Sequence, residues 1–280
     1  MKKRKNKKKS NLPFIVLFII GFCILMYPVV SRFYYKIGAS KAVSSFESEK
    51  TKLEKKEIER RMRLAYAFND SLVNGGINIE DPYDKKRAEE GRAEYARMLE
   101  VHEMIGHINI PKINIDIPMY AGSNETVLQK GAGHLEGTSL PVGGNNTHSV
   151  ITAHRGLPEA KLFTDLDKLN EGDKFYITNI NETLAYEVDQ IKVIEPSNFN
   201  DLLIVKGYDY VTLLTCTPYM INSHRLLVRG HRIDYDATQQ IEEIKTNSNE
   251  RYIKAGMVII GIIGVLGIVV LRKKKKKNEV

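Results

Sequence analysis

Two charge-free apolar runs, Leu12 to Val30 and Ala255 to Leu271, bracket the chain and constrain it more than any other feature; they are 19 and 17 residues long. A helix rises about 1.5 Å per residue, so roughly 17–25 residues cross the hydrocarbon core of a bilayer, and either run is long enough. Lys and Arg resist translocation and stay on the cytoplasmic side. Seven of them (Lys2, Lys3, Arg4, Lys5, Lys7, Lys8, Lys9) precede the first run, and Arg272 with Lys273 to Lys277 follow the second. Both termini therefore read as cytoplasmic, in a two-pass plasma-membrane protein whose region from Arg32 to Lys254 lies outside the cell. A cleaved signal peptide is the other reading of the first run. Its length exceeds the roughly 7–15 residues of a signal h-region, and Tyr27-Pro28-Val29-Val30 is a poor cleavage site, which favours a retained anchor.

The tails also explain the net charge of +8. Thirteen of the 42 basic residues and one of the 34 acidic residues lie in them, so the remainder carries about −4. That excess of acid argues against a nucleic-acid partner. The basic ends suit membrane topology and anionic lipid of the inner leaflet. Of the two cysteines, Cys23 falls inside the first apolar run, so the exported region has the single thiol Cys216 and no intramolecular disulfide. A lone thiol outside the cell is buried, paired between chains, or used.

The outward region begins with Lys41 to Asp70, rich in Lys and Glu, with apolar residues at helical spacing and no Pro or Gly, which predicts one amphipathic helix. Asn74-Gly75-Gly76 ends it, Glu80-Asp81-Pro82-Tyr83 makes a turn, and a second short helix is expected over Lys85 to Leu99. After Met104 the texture changes to short alternating or β-branched runs: Ile105–Ile110, Ile113–Met119, Ser149–Ala153, Lys174–Ile180, Leu184–Val193, Tyr210–Thr215 and Leu226–Ile233. Turn signals such as Gly143-Gly144-Asn145-Asn146 separate them. Many short strands at this spacing predict an antiparallel barrel or sandwich, with a brief helical insertion at Leu162–Leu169. No internal repeat is evident.

Cys216 sits where the β-prone run Tyr210 to Thr215 breaks into Thr217-Pro218, and a strand end holds a nucleophile rigidly at a solvent-facing rim. A small buried packing residue is the other reading. Attack on a carbonyl needs the thiolate, and a cysteine near its ordinary pKa of about 8.5 is mostly protonated at neutral pH, so a neighbouring base or cation is required. Arg225 supplies one if Thr217 to His224 forms a hairpin. His154, closing the run Ser149 to Ala153, is another. Position alone does not single it out: His102, His107, His134, His148, His224 and His231 are also available, and for each a solvated surface role is the ordinary expectation. No Cys or His pairs fall at zinc-site spacing, no G-x-S-x-G elbow is present, and neither a metal nor a cofactor is expected.

The segments Thr212-Leu213-Leu214-Thr215-Cys216-Thr217-Pro218-Tyr219 and Asn222-Ser223-His224-Arg225-Leu226-Leu227-Val228-Arg229-Gly230 resemble the active-site signature of sortases, the cysteine transpeptidases of Gram-positive bacteria. Gly133 to Pro141 and Thr152-Ala153-His154-Arg155-Gly156 resemble the stretch leading to that family's catalytic histidine. The second apolar segment and the turn Asp81-Pro82-Tyr83 are similar to the class C, pilus-assembling branch, whose lid has the form Asp-Pro-aromatic. The resemblance, spanning roughly Ile105 to Ile233, implies a mainly β fold, an eight-stranded sortase barrel with short helices. It implies Cys216 as nucleophile, His154 as proton donor and acceptor, and Arg225 as transition-state stabiliser. The substrate implied is an LPXTG-like sorting signal on a pilin or surface protein, cut between Thr and Gly, and the acceptor a pilin lysine amine. The lid reading has Asp81 pairing with Arg225 while the Tyr83 ring covers the Cys216 sulfur.

The domain plan that follows is a basic tail 1–11, a transmembrane helix 12–30, an N-terminal helical region 32–103 with the lid loop 80–84, and a catalytic barrel 104–240. A linker 241–254, a transmembrane helix 255–271 and a basic tail 272–280 complete it. Three other readings compete: a housekeeping-type sortase that attaches proteins to the cell wall, a membrane-anchored binding barrel with an inert thiol, and a surface structural protein that is itself a sortase substrate. Against the last, Asn247 to Lys254 contains no LPXTG-like pentapeptide to be cut.

Overall fold

The computed structural model describes residues 12–75, 83 and 94–249. Eight strands form a closed barrel in the order β1-β2-β3-β4-β7-β8-β6-β5. They are β1 Met104–Ile110, β2 Ile115–Ala121, β3 Ala132–His134, β4 Thr147–Thr152, β5 Lys174–Thr178, β6 Thr183–Ile194, β7 Asp209–Thr217 and β8 His224–Ile233. Pairing of β1 with β5 closes the ring, which leaves no sheet edge to be protected.

The barrel is not wholly antiparallel, as the spacing of strands suggested. Two pairs, β2 with β3 and β4 with β7, run parallel. A parallel pair needs a long crossover, and the chain between Ala153 and Tyr208, which carries β5 and β6, supplies the one joining β4 to β7. The C-terminal ends of β4 and β7 therefore stand side by side at one rim. Strand β3 escaped the sequence reading because three residues cannot display alternation. Its close packing has a local cause in Gly133, where a Cβ would lie 2.3 Å from the carbonyl oxygen of Gly122.

Helix α1 (Leu12–Lys50) carries the first apolar run without interruption into the polar stretch that follows it, and α2 (Lys55–Gly75) follows after a turn. The single helix expected over Lys41 to Asp70 is thus two. Near the break the Thr51 hydroxyl donates to the Ser48 carbonyl at 2.7 Å, a local bond that competes with the helical ladder. The turn lets each helix bury its own apolar face, Val43 and Phe46 on α1 and Met62 and Ala65 on α2. Buried Asn69 of α2 locks onto the barrel, donating to the Leu140 carbonyl at 3.1 Å and accepting from its amide at 2.7 Å.

Residues 15–30 of α1 present an exposed apolar surface, long and apolar enough to cross a membrane. Of the second helix expected over Lys85 to Leu99, residues 85–93 lie outside the described residues and Glu94–Leu99 forms a 3-10 turn, while the expected insertion is another 3-10 turn, Leu162–Lys168. Two further helices were not anticipated, the short α3 (Glu125–Lys130) and α4 (237–249), the latter tied to β5 by the Tyr176 hydroxyl donating to Glu243 at 2.9 Å. Asp81, Pro82, the run Ala255 to Leu271 and both basic tails lie outside the described residues.

Candidate active site

Side chains alternate across a strand, so β4, β7 and β8 each present two faces. Ile151, Leu213 and Val228 occupy aligned positions and fill the main core inside the barrel. One residue away, Val150, Leu214 and Leu227 belong to a separate apolar cluster on the opposite face. Cys216 shares the parity of Leu214, and Arg225 that of Leu227; the two are direct cross-strand partners in the β7–β8 hairpin. The Thr152–Leu214 register, extended by the bond from the Ala153 amide to the Leu214 carbonyl at 3.3 Å, carries His154 alongside Cys216. All three expected site residues thus meet on one face and at one rim.

Cys216 is 6% exposed, makes no disulfide, and stands above the floor of Leu135, Val150, Leu214 and Leu227. Arg225, 5% exposed, donates from one guanidinium nitrogen to the carbonyls of Asn222 and His224 at 3.1 and 3.0 Å, which points its planar group along the face rather than into solvent. His154 keeps 17% of its side chain exposed, and its Nε2 lies 3.2 Å from Glu125 Oε1 in the first turn of α3. Its backbone is fixed as well, since the carbonyl accepts from the Phe163 amide at 3.1 Å.

Two contributors were not anticipated from sequence. Glu125 is one. Arg155 is the other: buried at 7% side-chain exposure, it donates to Thr217 Oγ1 at 2.9 Å, to Asp167 at 2.6 Å and to the Thr164 carbonyl at 3.3 Å. It ties the residue after His154 to the residue after Cys216. The adjacency Arg155–His154 was visible in the sequence, but the clamp exists only through the β4–β7 register.

Tyr83 roofs the site. Its hydroxyl lies 2.8 Å from Thr152 Oγ1 and donates to the Ala153 carbonyl at 2.8 Å. The ring sits 5.8 Å from the His154 ring and 5.0 Å from the Arg225 guanidinium, a cation–π separation. Burial first, then the Cys216 thiol, pushes the phenol far above its ordinary value of 10.0, so it stays protonated and remains a donor. Tyr83 also packs, with Phe199, against the outer cluster. The expected partner Asp81, with Pro82, lies outside the described residues.

The remaining histidines sort by environment, and three depart from the solvated role expected of them. Burial pulls His134 down to about 4 against a bond to the Ser139 carbonyl, and pulls His148 down to about 4 against a bond to the Leu203 carbonyl. Both are neutral packing residues near pH 7. His148 also bonds Thr212 Oγ1 at 2.8 Å, stapling the connection between β6 and β7 to the site's floor. For His107 burial acts downward, but hydrogen bonds to Asp116 and Glu47 outweigh it and raise its pKa. His102, His224 and His231 are on the surface. Among the described residues no group of His, Cys, Asp or Glu could hold a metal ion.

A nucleophile, an imidazole and a guanidinium on one face, over an apolar floor, form a constellation suited to acyl transfer. A family model for the sortase domain matches residues 108–233. Sortase C-1 from Streptococcus pneumoniae is similar at 65% identity, covering 70% of this chain and 100% of that structure with a TM-score of 0.68. The pilus-related sortase C of Group B Streptococcus is similar at 63% identity, covering 69% of this chain and 97% of that one with a TM-score of 0.65. Sortase A of Bacillus anthracis is 25% identical over 216 residues, 77% of this chain and 90% of that protein. With identities of 65% and 63% over 100% and 97% of the length of two solved sortase C structures, the chain belongs to the sortase family of cysteine transpeptidases, in its class C branch.

Proposed function

We propose that this chain is a membrane-anchored transpeptidase that cuts an LPXTG-like sorting signal between Thr and Gly and joins the threonine carbonyl to a pilin lysine. The observation that carries the reading is the alignment of His154, Cys216 and Arg225 across β4, β7 and β8 on one face. In this reading the Cys216 thiolate attacks the threonine carbonyl carbon, forming a C–S bond and a tetrahedral oxyanion. Arg225 donates to that oxygen or to the adjacent substrate carbonyls, a charge-assisted contact that strengthens where water is excluded. Collapse breaks the C–N bond as the His154 imidazolium protonates the departing glycine amine. The lysine reaches the thioester as the neutral amine, its ammonium proton given up to solvent; as its nitrogen attacks and the new C–N bond forms, neutral His154 takes the remaining proton from it, the C–S bond breaks, and the Cys216 thiolate leaves beside the restored imidazolium.

The apolar cluster of Leu135, Val150, Ile194, Leu202, Leu214 and Leu227 suits the aliphatic part of such a signal. Tyr83 stands on that cluster, so substrate entry requires it to move, and Asp81 is proposed to hold it through Arg225. The pilus-related naming of a close structural relative favours a lysine acceptor over a cell-wall amine. The first apolar helix supports anchoring, with the second run and both termini assigned by the flanking Lys and Arg.

Intact-mass spectrometry of the full chain carrying Tyr83→Ala, incubated with an LPXTG-type peptide, tests the reading. An adduct ending at the peptide's threonine, absent with Cys216→Ala, is expected. Absence of any adduct across a panel of sorting peptides, with Cys216 unreactive to alkylation, would move the assignment to a binding barrel.

A further inference from the structure

On the side of the barrel nearest the first apolar run, α1, the β1–β2 hairpin and α4 enclose a cavity of about 360 Å³. Three basic side chains line it: Arg32 and Lys36, one turn apart on α1, and Lys161 from the segment before the 3-10 turn at Leu162–Lys168. Asp116 is the acidic residue on its wall, and that carboxylate is already engaged by His107 at 2.7 Å. Arg32 is anchored by donating Nε to the Pro158 carbonyl at 3.2 Å. Lys161 is held by the Ile113 carbonyl at 2.9 Å and by Asp165, which it shares with Lys168. Lys36 has no hydrogen-bond or ion-pair partner among the described residues. Small residues at Ala39 and Ser40 leave the space open, so the cavity combines a positive mouth with an apolar interior that includes Ile244 of α4.

Its height relative to a bilayer follows from the helix. The apolar run ends at Val30, and at about 1.5 Å per residue Arg32 and Lys36 lie roughly 3 and 9 Å beyond it, the depth of the headgroup layer. Exposed aromatics mark the same level: Phe33 is 64% and Tyr34 71% exposed on the sides of α1 that do not face the barrel, the placement of an interfacial belt. The barrel meets the helix just before that level, where Tyr27 Oη, three residues ahead of the end of the run, donates to Glu159 at 3.2 Å.

We propose that this cavity binds the phosphodiester headgroup of an anionic phospholipid from the outer leaflet, with Lys36, Arg32 and Lys161 on the phosphate. The site rests on the anchoring part of the reading above and not on the transpeptidase chemistry. It would fix the barrel against the membrane at a set height, which keeps the rim bearing Cys216 at a constant orientation.

The test uses the full chain in nanodiscs of mixed phosphatidylcholine and phosphatidylglycerol, released into native mass spectrometry with retained lipids identified by headgroup. One phosphatidylglycerol per chain, retained in preference to phosphatidylcholine, is expected. Lys36→Gln should reduce that retention about fivefold and the Lys36→Gln, Lys161→Gln pair by about tenfold or more, as expected for removal of charges facing an anionic lipid. Thiol alkylation of both variants should match that of the native chain. Equal retention of the two lipids, or retention unchanged in both variants, would overturn the site. Inorganic phosphate at millimolar concentration displacing the lipid and remaining bound itself would overturn the lipid assignment in favour of a soluble anion. A chain that never enters the discs would instead overturn the anchor, and this proposal with it.

Discussion

Along β7, Leu213 and Thr215 turn into the barrel while Leu214 and Cys216 turn away from it, so two faces with different fates share one backbone. The inner face is covered by the other strands of a closed barrel, whose positions are fixed by ladder hydrogen bonds. The outer face is covered by Ile194, Leu202 and Phe199 from the end of β6 and the connection that follows it, and by Tyr83, a cover of side chains rather than strands. Both floors are fully buried: Leu213 and Leu214 are each 0% exposed. The difference lies in what must break to uncover them. Opening the inner face means unfolding the barrel, whereas opening the outer face means displacing a loop and a tyrosine, an event at the low-stability end of native fluctuations.

The sharpest break of that comparison is a pair of substitutions on β7. Cys216→Ala is expected to lower thioacyl formation by roughly three orders of magnitude or more with the melting temperature nearly unchanged. Leu213→Ala should cost about 2–5 kcal/mol of stability in denaturant titration, leaving the activity per folded molecule largely intact. If Leu213→Ala instead abolished turnover in the folded fraction, the division between faces would fail. Next in size, Arg155→Met removes the clamp between the two strand ends; kcat should fall on the order of 10- to 100-fold with KM changed little, the signature of a displaced catalytic pair. Glu125→Gln, which keeps the shape but removes the charge beside His154, is expected to give a smaller fall in kcat.

Tyr83→Ala tests the cover itself. Alkylation of Cys216 should speed up several-fold, and peptide turnover should rise with it, because the variant removes the roof and its bonds to Thr152 and Ala153. Unchanged rates in both assays would mean that Tyr83 is packing and not a gate. The smallest effect concerns the attachment of α1. His107 has a raised folded pKa, so its contribution is complete below the ordinary histidine value of 6.5 and is lost as pH rises through the raised value. Glu47, lowered to about 2 chiefly by its bond to His107, contributes above its ordinary 4.5 and loses that contribution as pH falls toward 2. Hydrogen exchange over 39–50 should therefore quicken at alkaline pH, by an amount worth less than about 1 kcal/mol because the carboxylates are half exposed. In His107→Gln that pH dependence should vanish.

Much of the fold was legible because strands with one buried face alternate and are punctuated by Gly and Asn turns. Seven of the eight strands were found, and β3 was lost because three residues carry no period. The parallel pairing of β4 with β7 was not legible, since no local signal distinguishes a strand that joins its sequence neighbour from one that joins a strand some 60 residues on. The split of Lys41 to Asp70 was hidden for a related reason: both halves have helical periodicity, and only the barrel surface against which they pack requires the bend at Thr51.

The site divides in the same way. Cys216 was marked by its solitude and its position at a strand end, and Arg225 by the hairpin that a short turn allows; both are local facts, written in ten consecutive residues. His154 could not be separated from six other histidines by spacing, because which histidine keeps an edge in solvent and which is driven neutral by burial depends on what packs around each. The sequence by itself determined the apolar run long enough to cross a membrane, the alternation that builds two-faced strands and the lone outer thiol proposed to perform the chemistry. Tertiary structure decided the partners: a parallel register that brings His154 to Cys216, Arg155 to Thr217, and Tyr83 over them all, since contacts between distant residues are set by how the barrel closes and not by any period along the chain.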